Sequence, residues 1–541
     1  MYSEGKLVIG KSDRGDVAIY PKMANRHGLI AGATGTGKTT TVKTVAEAFS
    51  EAGVSVFLAD VKGDLSGIAK AADGMEGVKY PTNIFDVYGE MGMPLRTTIS
   101  EMGPTLLSRI LDLNQTQSDL LAIVFKIADD EGLLLIDIKD LRSMLTYVND
   151  NASEYSSTYG NIAKSSITTI IRALIALESE GGDMFFGEPA IDINDWIATD
   201  ASGRGYIQVL DCQKLILNPT MYSTLLLWML SEIYETLPEV GDMDRPKLVF
   251  FFDEAHMLFD NASRALLSKI EQVVKLIRSK GVGIYFITQN PSDIPNGVLA
   301  QLGNKIQHAL HAYTPAEQKA IKAAADSFRV NPEFKTAEKL EELGIGEALV
   351  SVLDEAGVPT VVEITKINLP HSSMKPINMN ERDDIVYSSP LFDKYSEAVD
   401  RHSAYEELTG KSNEGSRYGK NAAIESYEKA YAEEDEDDDP RKAYARAHKI
   451  SSSTGTKAGR SATKTAKSSA RTAKSTSTGS GRRQKSASEK IVRSVANTAA
   501  GTIGREVGNS FGKSVGGSFG KRLGGNVGAT LARGIMGTFL K

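Results

Sequence analysis

Residues 32–39 read "GATGTGKT", directly after the apolar run "LIA" and directly before "TTVKTVAEAF", whose apolar positions have helical spacing. A glycine-rich turn between a strand and a helix is a phosphate cradle. Its backbone N–H groups converge on anionic oxygens where the helix dipole favours negative charge. Gly32, Ala33, Thr34, Gly35, Thr36, Gly37, Lys38, Thr39 and Thr40 form the candidate phosphate-binding set. Lys38 would reach the β- and γ-phosphates, and the Thr39 hydroxyl would ligate Mg²⁺. A second constellation, "KLVFFFDEAH", ends an apolar strand pattern in Asp253 and Glu254. Asp253 would hold Mg²⁺ through water, and Glu254 would polarise an attacking water as general base. His256 is divided between packing and a supporting role. A third strand pattern ends "FITQN", which places Gln289 where a polar side chain could report the state of a γ-phosphate. The chemistry expected of this set is hydrolysis of ATP with Mg²⁺.

Such residues need a sheet to position them. From residue 28 to about 365 short β-branched and aromatic runs alternate with helical patterns, the rhythm of a parallel sheet flanked by helices. Five buried strands are expected, from "HGLIAG", "VSVFLAD", "KLVFFFD", "GVGIYFIT" and "NKIQHAL". "GEALVSVL" and "VPTVVEI", joined through "DEAG", predict a hairpin at the sheet edge. The stretch between residues 60 and 247 is too long for a simple crossover, and its middle is patterned as helices. The expected organisation is an α/β core over 1–99 and 201–370, with a helical insertion over 100–200. A helical and acidic segment follows over 371–440, then a disordered basic linker over 441–488 and a tail over 489–541.

Charge separates these parts. Residues 441–541 carry 21 Lys and Arg against two acids, +19, whereas the first 440 residues carry 41 basic against 67 acidic groups, −26. Such a tail predicts contact with an anionic surface: nucleic acid, membrane or the body itself. From Ile503 the sequence falls into tetrads with an apolar first position and glycine second, from Gly504 to Gly528. Glycine at every fourth residue would cut a groove for close helix approach, a glycine zipper that pairs with itself, another protein or a membrane surface. The bland alternative is an unstructured glycine-rich tail. No run of 18 uncharged apolar residues and no secretory-type leader are present, so a cytoplasmic protein is expected. The single cysteine, Cys212, excludes an internal disulfide and reads as a core thiol.

With "GATGTGKT", "VFLADVKGDLSG", "LVFFFDEAH" and "RSKGVGIYFITQNPSDIP" in this order, the sequence resembles the HerA/FtsK class of P-loop ATPases. Within that class it is similar to the bacterial HerA-like family typified by YjgR. The likeness extends through "FKIADDEGLLLIDIKDLRSML", "GGDMFFGEP", "QLGNKIQHAL" and "GEALVS", roughly residues 5–365. It implies a RecA-like core with neighbouring Walker A and Walker B strands, ATP as the nucleotide, and often a hexameric ring through which DNA is moved. It implies roles for Lys38, Thr39, Asp253, Glu254 and Gln289, and places Asp60 of "ADVKGD" near the nucleotide. It also implies an arginine supplied by a neighbouring subunit, for which Arg278 has suitable spacing and Arg264 is next. One departure is that about 27 residues precede the first core strand, where HerA proper carries an N-terminal β-barrel. Four functions follow from this set: a DNA translocase or helicase, a protein-directed motor related to secretion and conjugation ATPases, an ATP-controlled assembly switch, and a small-molecule kinase. Glu254 argues against a pure switch, and Asp-Glu followed by Thr-Gln is the pattern of hydrolysis by water rather than kinase transfer.

Overall fold

Runs of Val, Ile, Leu and Phe around the phosphate-loop sequence become strands buried on both faces, the expected fate of β-branched and aromatic residues in a parallel sheet. A computed structural model describes residues 1–259, 264–312 and 314–410. In chain order the strands are β1 (Tyr2–Ser3), β2 (Lys6–Ser12), β3 (Gly15–Ile19), β4 (Gly28–Ala31), β5 (Ser55–Asp60), β6 (Thr82–Asp86) and β7 (Met93–Pro94). They continue as β8 (Ile207–Asp211), β9 (Leu248–Phe252), β10 (Val282–Thr288), β11 (Asn304–Gln307), β12 (Glu347–Ser351) and β13 (Glu363–Ile367). All belong to one 13-stranded sheet, ordered β1-β2-β13-β12-β11-β4-β10-β9-β5-β8-β6-β7 with β3 against β2.

The run from β11 to β7 is parallel throughout, and β12, β13 and β1–β3 add antiparallel pairs on the other side. This is a mainly parallel P-loop core of RecA-like type, and it corrects three expectations. The strands carrying the phosphate loop and Asp253 are not neighbours, because β10 lies between β4 and β9. The β12–β13 pair is not the sheet edge, because β2 pairs with β13 outside it. The parallel run also exceeds five strands, since β6, β7 and β8 extend it. Asn83 and Gln208 interrupt the apolar patterns of β6 and β8. Inside the fold they satisfy each other, Asn83 Nδ2 donating to Gln208 Oε1 at 2.9 Å.

Helix α1 (Lys38–Glu51) follows the phosphate loop. The stretch after β7 supplies α2 (Ile99–Ile110), α3 (Gln115–Glu131), α4 (Ile138–Asp150), α5 (Ala152–Tyr159) and α6 (Lys164–Leu177). Their boundaries are written locally. Asn114 with Gln117 and Asp137 with Asp140 close reciprocal capping boxes at the starts of α3 and α4. Leu121, Leu141 and Ile170 of these helices share one apolar cluster with Phe57 and Phe250 of the sheet. Trp196 stacks on Phe57 with ring centroids 5.1 Å apart, which ties the end of the helical stretch to the same face. The opposite face is covered by α1, whose Val42, Val45 and Phe49 meet Val56, Phe251 and Tyr285. Among the described residues no helix is long and apolar enough to cross a membrane. The acidic run, the basic linker and the glycine tetrads lie outside the described residues.

Candidate nucleotide site at the C-terminal strand ends

Parallel pairing brings the chemistry-bearing residues to one rim. Ala31 stands opposite Thr288, Phe252 opposite Phe286, and Asp60 opposite Asp211, so the loops after β4, β10, β9 and β5 open on the same side. The phosphate loop can turn there because of its glycines. Gly32 has φ +151°, and a Cβ on it would meet His308 Cβ at 2.5 Å. Gly37 has φ +112° and caps α1. Thr34 and Gly35 are exposed at the loop tip, whereas Thr36 is buried, its Oγ1 donating to Ala33 O at 2.8 Å. The loop is tied to its neighbours by Ala33 N donating to Ala309 O and by Gly346 N donating to Thr36 O. Lys38 and Thr39 open α1 half-buried, with Thr40 behind them. Lys38 Nζ donates to Gly32 O at 2.6 Å and Ala33 O at 3.0 Å. Burial, and then the nearby Lys62, hold its pKa below the usual lysine range.

At the end of β9, Asp253 and Glu254 enter from the other side of β10. Asp253 Oδ1 accepts from Glu254 N at 2.9 Å, and its carbonyl accepts from Tyr222 Oη at 2.7 Å. Burial, followed by repulsion from Glu254, pushes the Asp253 carboxyl up to about 6. Glu254 is in the left-handed region at φ 46°, ψ 45°, a conformation that costs a non-glycine residue about 1–3 kcal/mol and recurs at functional sites. Its Oε2 is buried and among the described residues accepts no hydrogen bond, with His256 Nδ1 3.5 Å away, and its Oε1 lies 3.6 Å from Lys62 Nζ.

The loop after β5 changes the role expected of Asp60. Its Oδ1 accepts from Gly63 N at 2.7 Å and its Oδ2 from Ser66 N at 2.9 Å, so the carboxylate shapes its own loop. Burial raises it to about 7, with Asp64 adding to the rise. The loop residue that reaches the phosphate loop is Asp64, whose Oδ2 accepts from Thr39 Oγ1 at 3.2 Å. Asp64 was visible in "ADVKGD" as a second acid four residues on, but only the fold shows that it meets Thr39. His308 was missed as well. Its Nε2 lies 2.8 Å from Thr41 Oγ1 and its Nδ1 2.9 Å from Glu347 O, beneath the glycine loop. Burial lowers its pKa to about 4, so it supports the loop as a neutral ring.

Gln289 follows the last residue of β10 and is exposed on the rim between the two halves of the site. Arg278 is not brought there. It lies in the 3₁₀ turn Ile277–Lys280 before β10, at the opposite strand ends, with Nη2 3.7 Å from Asp242 Oδ1. The seven residues of β10 separate the two rims by about 20 Å. Arg264 opens the helix Arg264–Leu276, and its side chain lies outside the described residues.

The model of the Helicase HerA-like C-terminal family matches residues 6–539. The chain belongs to this family. HerA-like relatives include the DNA double-strand break repair helicase HerA of Sulfurisphaera tokodaii, 24% identical over 68% of this chain and 70% of its own length. The same-named helicase of Sulfolobus acidocaldarius is 22% identical over 70% of this chain and 73% of its own. Among solved structures, VirB4 of Thermoanaerobacter pseudethanolicus aligns with a TM-score of 0.47 at 18% identity, over 68% of this chain and 98% of that one.

The donor set of this HerA-like site suits Mg²⁺. Magnesium prefers oxygen ligands and keeps several waters. The Thr39 hydroxyl and the Asp253 carboxylate are hard oxygen donors, and the Thr39 hydroxyl is held by Asp64 at 3.2 Å. Glu254 and Asp64 both raise the Asp253 carboxyl, a repulsion that a divalent cation held by Asp253 would relieve, and among the described residues Glu254 Oε2 accepts no hydrogen bond, so it would remain open to a water.

Proposed function

We propose that this chain is a Mg²⁺-dependent ATPase of the HerA-like family that works as a DNA translocase or helicase in the cytoplasm. The observation that carries the hydrolytic part is the Glu254 carboxylate: buried, held in a strained backbone conformation, and with one oxygen that accepts no hydrogen bond among the described residues. In the proposed reaction Gly32–Thr40 and Lys38 hold the phosphates of ATP. Thr39 and Asp253 hold Mg²⁺, Glu254 takes the proton of the attacking water, and Gln289 reports the terminal phosphate to the rim. Assembly into a ring, hexameric in the proposal, would let a neighbouring copy present its far rim, and only then would Arg278 face a nucleotide. The names of the two HerA relatives favour DNA as the polymer.

A second reading, a motor that moves protein and is recruited through the tail, is favoured by the −26 charge of the first 440 residues. An acidic body repels phosphate backbones unless a basic surface is segregated from it. Hydrolysis itself is tested by steady-state turnover of Mg-ATP. Glu254→Gln is expected to lower kcat by about 10²- to 10⁴-fold while nucleotide binding persists. An unchanged kcat would remove Glu254 from the proposed chemistry.

A further inference from the structure

The loop after β5 carries a cation that the reading above leaves without a role. Lys62 is about half exposed, and its Nζ lies 3.6 Å from Glu254 Oε1, beyond hydrogen-bond reach. Among the described residues Glu254 is its one ion-pair partner. The backbone beneath it is fixed: Asp60 accepts from the amides of Gly63 and Ser66, and Ser66 Oγ donates to Gly63 O at 2.7 Å. Gly63 has φ +80°, and a Cβ on it would collide with the Gln213 amide at 2.7 Å. A rigid turn therefore presents a flexible ammonium toward Glu254. The same ammonium is near enough to Lys38 to disfavour its charge and near enough to Asp253 to favour that carboxylate. Lys62 thus stands among the phosphate-loop lysine, the proposed Mg²⁺ ligand and the proposed base at once.

We propose that Lys62 is the γ-phosphate reader of this site, trading its loose contact with Glu254 for the terminal phosphate of ATP. The inference rests on the nucleotide-site reading above. Two physical points support it. A mobile ammonium facing one carboxylate at 3.6 Å binds a multiply charged phosphate more strongly, through short charge-assisted hydrogen bonds. Its departure frees Glu254 Oε1 at the moment a terminal phosphate is present, which couples the base to the triphosphate rather than the diphosphate state. Since Asp64 of the same turn contacts Thr39, occupancy of Lys62 is also felt at the proposed Mg²⁺ ligand.

The test is isothermal titration of the full-length chain with Mg²⁺ and either ADP or the non-hydrolysable β,γ-imido analogue of ATP. Lys62→Gln is expected to weaken the triphosphate analogue about tenfold and leave ADP within about twofold, with Lys62→Arg restoring most of the loss. Retained ADP affinity shows that the variant is folded. Equal weakening of both nucleotides, or of neither, would overturn the assignment while leaving the nucleotide site intact. Wild-type protein that binds neither nucleotide would overturn the site reading and this inference together.

Discussion

His27 shows how single side chains set the conditions under which the site exists. It precedes the phosphate-loop strand with φ 60°, and its ring is buried between two elements. Ile284 N donates to Nδ1 at 3.1 Å, so Nε2 carries the proton and donates to Val274 O at 2.7 Å. A second proton would turn the Nδ1 acceptor into a donor facing another donor. Burial accordingly lowers the pKa to about 4 from 6.5. Because the folded value is depressed, stability from His27 is complete above pH 6.5 and is lost as pH falls from 6.5 to 4, on the order of 3 kcal/mol in all. Asp60, raised to about 7 from 3.8, works in the opposite direction, costing stability as pH rises through that window. Comparison with His27→Asn, which tolerates positive φ, separates the two. In urea denaturation the stability gap between wild type and variant should shrink from pH 7 to pH 4.5, whereas a constant gap would contradict the assignment. At this scale "GATGTGKT" and "DEAH" were legible because each is contiguous in the chain. Lys62, Asp64 and His308 acquire their neighbours only when loops from different strands meet, which no local pattern records.

At the scale of elements, the segment after β13 secures the rim from behind. Its backbone crosses α1, where Glu47 accepts from His371 N at 2.8 Å and Ser372 N at 2.9 Å, and Lys43 Nζ donates to Ser373 O at 2.6 Å. The helix Met379–Tyr387 then inserts Arg382, whose Nη1 donates to Asp211 Oδ2 at 2.9 Å and to Met91 O at 2.8 Å. Both partners of this ion pair are 4% exposed. Removing one partner of a buried pair strands the other charge and costs about 3–5 kcal/mol, more than the net worth of the pair. Arg382→Met should therefore lower the unfolding free energy by about that amount, and adding Asp211→Asn should recover part of it. A loss below about 1 kcal/mol in denaturant titration would mean that the helix is not held through this pair. The periodicity of α3, α4 and α6 could be read because long amphipathic helices repeat their pattern over several turns. The five-residue strands β6 and β8 could not, because a buried Asn83–Gln208 pair looks polar until the partner is known.

For the whole molecule, one sheet organises everything described. Placing β10 between β4 and β9 gives Gln289 a backbone position between phosphate loop and base, which adjacent Walker strands would not provide. The parallel core and its order of motifs were readable from strand-length apolar runs. The order of strands in space was not, since parallel connections leave the insertion of β10 unspecified by sequence spacing. The same arrangement puts Arg278 on the far rim, where it would meet a nucleotide only across an interface with a second copy of the chain, as in the proposed ring. Coupling of hydrolysis at this rim to DNA is read out by steady-state ATPase of the full-length protein with and without double-stranded DNA, with Glu254→Gln as control. DNA should raise kcat at least about tenfold in the wild type and not in the variant, a lowering of the barrier by about 1.4 kcal/mol. A Glu254-dependent rate that is indifferent to DNA would contradict coupling to DNA and favour a protein-directed motor.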